Sequence, residues 1–415
     1  MQVLIQQAKI TDTRSGFHNQ IVDILIEDGI IKEIAPSFNA KADTVVKADG
    51  LCVSTGWTDI LADYREPGYE HKETIASGLR AAAAGGYTHV LTAPNTNPAV
   101  STKSIVQSLV QKAAGNVVSL HPLGAITQDI EGKNLAEMLD MHAHGAVAFT
   151  DGWKPVQNAQ LMLKALEYVK SFNGTLVQIP VDSALAAGGL MHEGPESVKL
   201  GMAGIPSLSE TILLYRDIEL LRYTGSRLHV TGISTAEGVE MIRNAKKEGL
   251  NITCSVTPYH LVLNDTALGS YSSMYKVMPP IRSEADRQAL LAGISDGTID
   301  CIASHHRPQE WDAKTKEYEY AADGMNIQEI AYNLVLQAVG AERVATLFTA
   351  ARDIFCLGNT NIEKGAVADI TLYTAIGSQQ LDKMQSASAN NPFIGTVLQG
   401  KVIGIINNKQ VRLNQ

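Results

Sequence analysis

The stretch Thr55-Gly56-Trp57-Thr58-Asp59-Ile60-Leu61-Ala62-Asp63-Tyr64-Arg65-Glu66-Pro67-Gly68 gathers three acids and a guanidinium in a short run. Alternate residues of an extended strand point the same way, so Asp59, Leu61 and Asp63 share one face. Further along, Asp151 follows Ala148-Phe149-Thr150, and His305 follows Ser304 ahead of His306-Arg307-Pro308-Gln309. Two carboxylates and an imidazole form a donor set that a divalent metal accepts. Asp63, Asp151 and His305 are therefore one candidate metal site. The arrangement expected instead is a charge-assisted pair between Asp63 and His305. Arg65 offers a planar fork that grips a carboxylate bidentately. Its partner is either a ligand or a neighbouring acid such as Asp63 or Glu66.

These residues need a scaffold that brings distant strand ends together. After the strand near Asp59, strand patterns recur at 88–92, 117–120, 146–149, 175–179, 227–233, 251–256 and 300–303. Helical patterns rich in Ala, Leu, Glu and Lys lie between them, for example 73–84 and 236–248. Eight rounds of strand and helix read as a (β/α)8 barrel over residues 55–349, with its chemistry at the C-terminal ends of the strands. Residues 1–54 and 350–415 have a different texture: short apolar runs such as Val22-Asp23-Ile24-Leu25-Ile26 and Val402-Ile403-Gly404-Ile405-Ile406, divided by turn pairs such as Asp28-Gly29. They predict one small β domain built from both termini. Forty-five per cent apolar residues with 19% charged supply a sizeable core. A net charge of −9 without basic runs argues against nucleic acid. No apolar stretch is long enough for a membrane span, and the first residues lack a signal-peptide pattern. The four cysteines, Cys52, Cys254, Cys301 and Cys356, form no zinc motif and read as buried free thiols of a cytoplasmic protein.

Tyr69-Glu70-His71-Lys72-Glu73, Ala93-Pro94-Asn95-Thr96-Asn97-Pro98, Val256-Thr257-Pro258-Tyr259-His260 and Met278-Pro279-Pro280-Ile281-Arg282 resemble, in order and spacing, the dihydroorotases of the long bacterial type. Arg65-Glu66-Pro67-Gly68, Lys364-Gly365-Ala366-Val367-Ala368-Asp369 and Asn391-Pro392-Phe393-Ile394-Gly395 extend the resemblance almost end to end. It implies an amidohydrolase barrel with a β-sandwich and a binuclear metal site. It also implies where the ligands would stand. The two strand-1 histidines correspond to Leu61 and Asp63. The strand-4 aspartate corresponds to Asp151, followed by Gly152. The strand-5 histidine falls in Gln178-Ile179, the strand-6 ligand at Gly232, and the catalytic aspartate after strand 8 at His305. Of these positions only Asp151 is kept. The expectation is therefore no metal cofactor and no catalytic residue, with zinc or another divalent metal as the alternative. The substrate-carboxylate anchors of the family match Arg65 and Asn95, whereas Met278 and Gln309 replace an asparagine and a histidine.

His142-Ala143-His144 is a literal His-x-His, but it precedes strand 4 and so belongs at the lower end of the barrel, as a helix-end or loop pair. His71, His192, His229 and His260 read as structural, and His306 as facing away from His305. The resemblance implies pyrimidine biosynthesis. With the ligands gone, the expected role is a non-catalytic partner of aspartate transcarbamoylase that also self-associates. The alternative is an active dihydroorotase, or another cyclic amidohydrolase, using a non-standard metal site.

Overall fold

Strands with one buried face form the ends of the chain, and strands buried on both faces form its middle. The computed structural model describes residues 1–38, 40–358 and 360–414. An eight-stranded sheet joins Gln2–Ile10, Ile21–Glu27, Ile30–Ala35, Thr44–Val46 and Leu51–Thr55 to Ile370–Gln380, Val397–Asn407 and Gln410–Leu413. The two termini meet where Leu51–Thr55 runs antiparallel to Ile370–Gln380, with Val53 opposite Leu372. Alternating residues such as Val3, Ile5, Ile24, Ile26, Val53, Ile370 and Leu372 form a separate apolar core. Asp28 and Gly29 make the turn between the second and third strands at positive φ, +49° and +80°. That geometry suits a tight hairpin and a glycine.

Trp57–Ala62, Tyr87–Thr92, Ser119–Pro122, Leu176–Gln178, Leu228–Thr231, Ile252–Val256 and Cys301–Ile302 are the parallel barrel strands. The fourth is reduced to bridges from Phe149 to Gly124 and Leu176, and a bridge from Ala62 to His306 closes the ring. The first two strands are buried at every residue, as a parallel barrel wrapped in helices requires. The fold is thus a (β/α)8 barrel with a β-sandwich domain.

The helix predicted from residue 73 begins at Ile75, because the Thr74 side chain caps the Ser77 N–H. Capping side chains compete with the helix for backbone donors and so mark its edge. Cys254 and Cys301 are buried free thiols as expected, but Cys52 is half-buried and Cys356 is exposed. None of the described helices is long and apolar enough to cross a membrane.

Sandwich and barrel meet at the lower end of the barrel. Trp57, fully buried, stacks on Phe348 at 4.8 Å and tilts against Tyr332 and Tyr373 at 5.2 and 5.1 Å. Removing such a ring costs about 3–5 kcal/mol. Beside it Arg352 pairs with Asp369, which accepts from His89 at 2.8 Å, and His89 reaches His121 at 2.8 Å. This buried chain ties the lead-in to a sandwich strand to two barrel strands.

Candidate active site at the barrel mouth

The first barrel strand delivers Asp59, Leu61 and Asp63 to the interior, and each has a different fate. Asp59 accepts from the Ser304 backbone at 2.9 Å and from Gln328 at 2.6 Å, which locks strand 8 to strand 1. Leu61 is fully buried in an apolar cluster with Leu91, Leu123, Val177 and Ile179, and Met278 packs against it. Asp63, also fully buried, pairs with Arg65 at 3.1 Å and accepts the Trp153 indole N–H at 2.8 Å. Its other oxygen, Oδ1, has no partner.

The expected Asp63–His305 pair does not form. Trp153 stands between them, holding Asp63 through Nε1 and meeting the His305 ring edge-on at 5.3 Å. His305 bonds through Nε2 to the Thr231 hydroxyl at 2.8 Å. Ser255 donates to the same Thr231 oxygen at 2.9 Å. Thr231 therefore donates to Nε2, and Nδ1 of a neutral ring carries the proton. That Nδ1 has no partner. Burial, with the nearby His260, His229 and Arg307, pushes His305 down to about 3.

Gly232 explains the placement. It sits at φ +74°, and a Cβ built on it would come 2.5 Å from Cε1 of His305. The ring fills the space a side chain at 232 would need. Asp151 faces neither residue. It accepts from the Ile126 and Thr127 N–H groups at 2.9 Å each and from the Thr127 hydroxyl at 2.5 Å. Burial pushes its carboxyl up to about 6 despite these bonds. Asp63, Asp151 and His305 thus share a barrel end but not a coordination point. Among the described residues no group of three His, Cys, Asp or Glu side chains is placed to hold a metal ion.

Arg65 takes the neighbouring-acid alternative through Asp63, yet its Nε remains without a partner although the residue is only 8% exposed. Asn95 donates to the Asp151 carbonyl at 3.0 Å and accepts from the Trp153 N–H at 3.2 Å, so its amide shapes the loop after strand 4. A Cβ at Gly152 would collide with that amide. Gln309 accepts from Lys72 at 2.8 Å and donates to the Asp323 carbonyl at 2.7 Å.

Arg65 and Asn95 line one cavity of about 410 Å³ with Trp153, Lys154 and Arg307. Sequence reasoning assigned no role to these last three. A tryptophan directly after Asp151-Gly152, and an arginine directly after His305-His306, were the available signals.

Most of the remaining histidines have local partners. His142 and His144 bond backbone carbonyls of Ala146 and Asp140 at the short helix Met138–Ala143. His229 is held by Thr253 and Ser255, His260 by Thr257 and the Pro280 carbonyl. His192 lies 3.3 Å from Arg282, and His71 is exposed near Glu310. His306 turns toward Glu73, 3.6 Å away, on the other side of the strand from His305's partners.

Residues 51–238 match the dihydro-orotase-like family model. The dihydroorotase of Pelobacter propionicus is 36% identical over 417 residues, spanning 98% of this chain and 98% of that protein. The chain belongs to the dihydroorotase family. The dihydroorotase of Solibacter usitatus is 38% identical over 421 residues, covering 98% of this chain and 97% of its own length. Among solved structures, the L-hydantoinase (dihydropyrimidinase) of Arthrobacter aurescens superposes with a TM-score of 0.86 at 21% identity, over 99% of this chain and 95% of that one. A D-hydantoinase follows at 0.82 and 19%, over 100% and 95%. These two likenesses concern the fold.

Proposed function

We propose that this dihydroorotase-family chain works in pyrimidine biosynthesis as a non-catalytic partner of aspartate transcarbamoylase, without metal-dependent cyclic-amide hydrolysis of its own. The carrying observation is the seat of His305 against Gly232. A side chain at the strand-6 ligand position and the imidazole now at the proton-shuttle position exclude each other. The donor set fits a metal pair poorly for the same reason. Leu61 offers no lone pair, both Asp151 oxygens are engaged, and only Asp63 Oδ1 and His305 Nδ1 stay open. A metal, when bound to such a barrel, supplies carbonyl polarisation and an activated water. Here Asp63 instead orients Arg65 and Trp153, and His305 stays neutral.

One observation favours a second reading: the full-length relatives at 36–38% identity are named dihydroorotase. On that reading the chain interconverts carbamoyl aspartate and dihydroorotate with a divalent metal held in a non-standard way.

Metal analysis and turnover separate the two. After incubation with zinc and dialysis, the chain should retain far less than about two equivalents and show no turnover above background. Leu61→His alone should not restore activity, because ligands act as one unit. Chelator-sensitive turnover by the unmodified chain would establish the second reading. For the partner role, mixing with aspartate transcarbamoylase should give a species larger than either protein, burying on the order of 1,200–2,000 Å². Independent elution would remove that assignment.

A further inference from the structure

We propose that the barrel mouth carries a metal-free oxyanion seat formed by Arg307 and Lys154, which takes a small molecule bearing a carboxylate or phosphate group. The proposal rests on the reading that no metal pair occupies this mouth. Arg307 lies with its guanidinium 4.7 Å from the centre of the Trp153 ring. A ring face engages the charge of a guanidinium and not its N–H donors, the groups that grip an oxyanion. Arg307 is half-buried, and its Nε has no partner. Among the described residues no carboxylate stands within ion-pair distance of Arg307 or Lys154.

The surroundings sharpen the point. Burial, then the neighbouring Arg65 charge, push the Arg307 guanidinium below its usual range, and Asp323 and Asp63 do not offset this. Two guanidinium groups gathered in one cavity, one of them unpaired, repel unless an anion joins them. Arg65 has an unpartnered Nε and His305 an unpartnered Nδ1 at the same mouth. Asp129, the only acid that lines the cavity among the described residues, is within hydrogen-bond reach of Ser101 at 3.3 Å. A volume of about 410 Å³ suits a small metabolite rather than a polymer. Arg307 and Lys154 lie outside the Arg65 and Asn95 pair that the family resemblance assigns to substrate. Asn95, with its amide engaged by the loop backbone, is not the second anchor.

Calorimetric titration of chelator-treated, full-length protein with inorganic phosphate and, separately, with succinate tests this. One site is expected for at least one of the two anions, with Kd in roughly the micromolar to millimolar range. Which anion binds tells phosphate from carboxylate. Arg307→Ala and Lys154→Ala should each weaken it at least tenfold, equivalent to about 1.4 kcal/mol. Lys154 is exposed, so its variant should fold even if the Arg307 variant does not. No binding of either anion at about 10 mM, or binding that both variants leave unchanged, overturns the seat. Metal content and turnover are read separately, so an active metal site would sink the proposed function while leaving the anion result to be judged by itself.

Discussion

At the lower end of the barrel His89 uses both ring nitrogens, and Asp369 takes Arg352 and His89 together. At the mouth, Asp63, Arg65 and His305, which are buried, and Arg307, which is half-buried, each keep one enclosed polar atom without a partner. Among the four polar junction side chains, Arg352, Asp369, His89 and His121, one such atom remains, Asp369 Oδ1. The backbone differs in the same sense. Arg65 and His305 sit at positive φ, +62° and +48°, while none of the four junction residues does. Buried orphans and strained residues are costly and gather where something binds. The contrast teaches that the junction serves stability, while the mouth, with no group of three metal-ligating side chains among its described residues, has not collapsed into inert core.

The largest effect should come from breaking the junction. Arg352 and Asp369 are 2% and 4% exposed, and the His89 bond and charge with the Arg352 charge outweigh burial to hold the Asp369 carboxyl at about 2. Asp369→Ala strands a buried guanidinium, at a cost of about 3–5 kcal/mol. Chemical denaturation reads this directly. A loss under about 1 kcal/mol, the ordinary range for an exposed pair, would erase the contrast.

Next is Gly232→His, which places an imidazole at the position the family resemblance assigns to the strand-6 ligand. The new side chain meets His305 at Cβ and sits at an unfavourable φ, so about 2–4 kcal/mol of stability should be lost. His305→Asp in the same chain should recover part of it by vacating the ring's place. Strict additivity of the two substitutions would show that positions 232 and 305 are not coupled.

Much of this was legible in advance. The barrel showed in the alternation of strands and helices, because each parallel strand must be buried and each helix has one apolar face. Leu61, Gly232 and His305 were legible as exceptions within a familiar frame. The partner of Asp63 was not. It depends on Trp153, ninety residues away in sequence, turning its indole N–H inward, and no local pattern encodes that orientation. Nor was the short fourth strand, where Phe149 alone makes the bridges. The roles of Asp151 and Asn95 as loop fasteners likewise arise from backbone groups meeting in space, which residue type does not announce.

An intermediate effect is expected from acid. His121, His229 and His305 are pushed down to about 3 and His260 to about 4, in each case first by burial. Below about 6.5 the unfolded chain takes up protons that the native one refuses, so these groups stabilise the fold at neutral pH and that stability is lost as pH falls toward 4. Asp151 and Asp217, raised to about 6 by burial, act oppositely and gain stability over part of that window. Burial also lowers His192 and raises Glu210, Asp265, Asp300 and Glu329, so the effect is read as the change that one histidine makes to the melting temperature between neutral pH and about pH 4. His305→Gln, which can keep a bond to Thr231, should flatten the pH profile. An unchanged slope would mean that His305 does not titrate on unfolding as its burial requires.

The smallest effect should be the most telling. Arg307 and Arg352 are both arginines packed among aromatic or buried groups, but Arg352 has its carboxylate and, among the described residues, Arg307 has none. Truncating Arg307 removes a cation–π contact of about 0.5–1 kcal/mol. It also relieves a partly desolvated charge beside Arg65. The two terms oppose each other, so Arg307→Ala should change unfolding stability by no more than about 0.5 kcal/mol in ligand-free buffer. In the presence of the anion that the seat accepts, the wild-type chain should gain stability by mass action and the variant should not. A large loss without any anion would place Arg307 with Arg352, as a structural residue, and would dissolve the distinction between the two ends of the barrel.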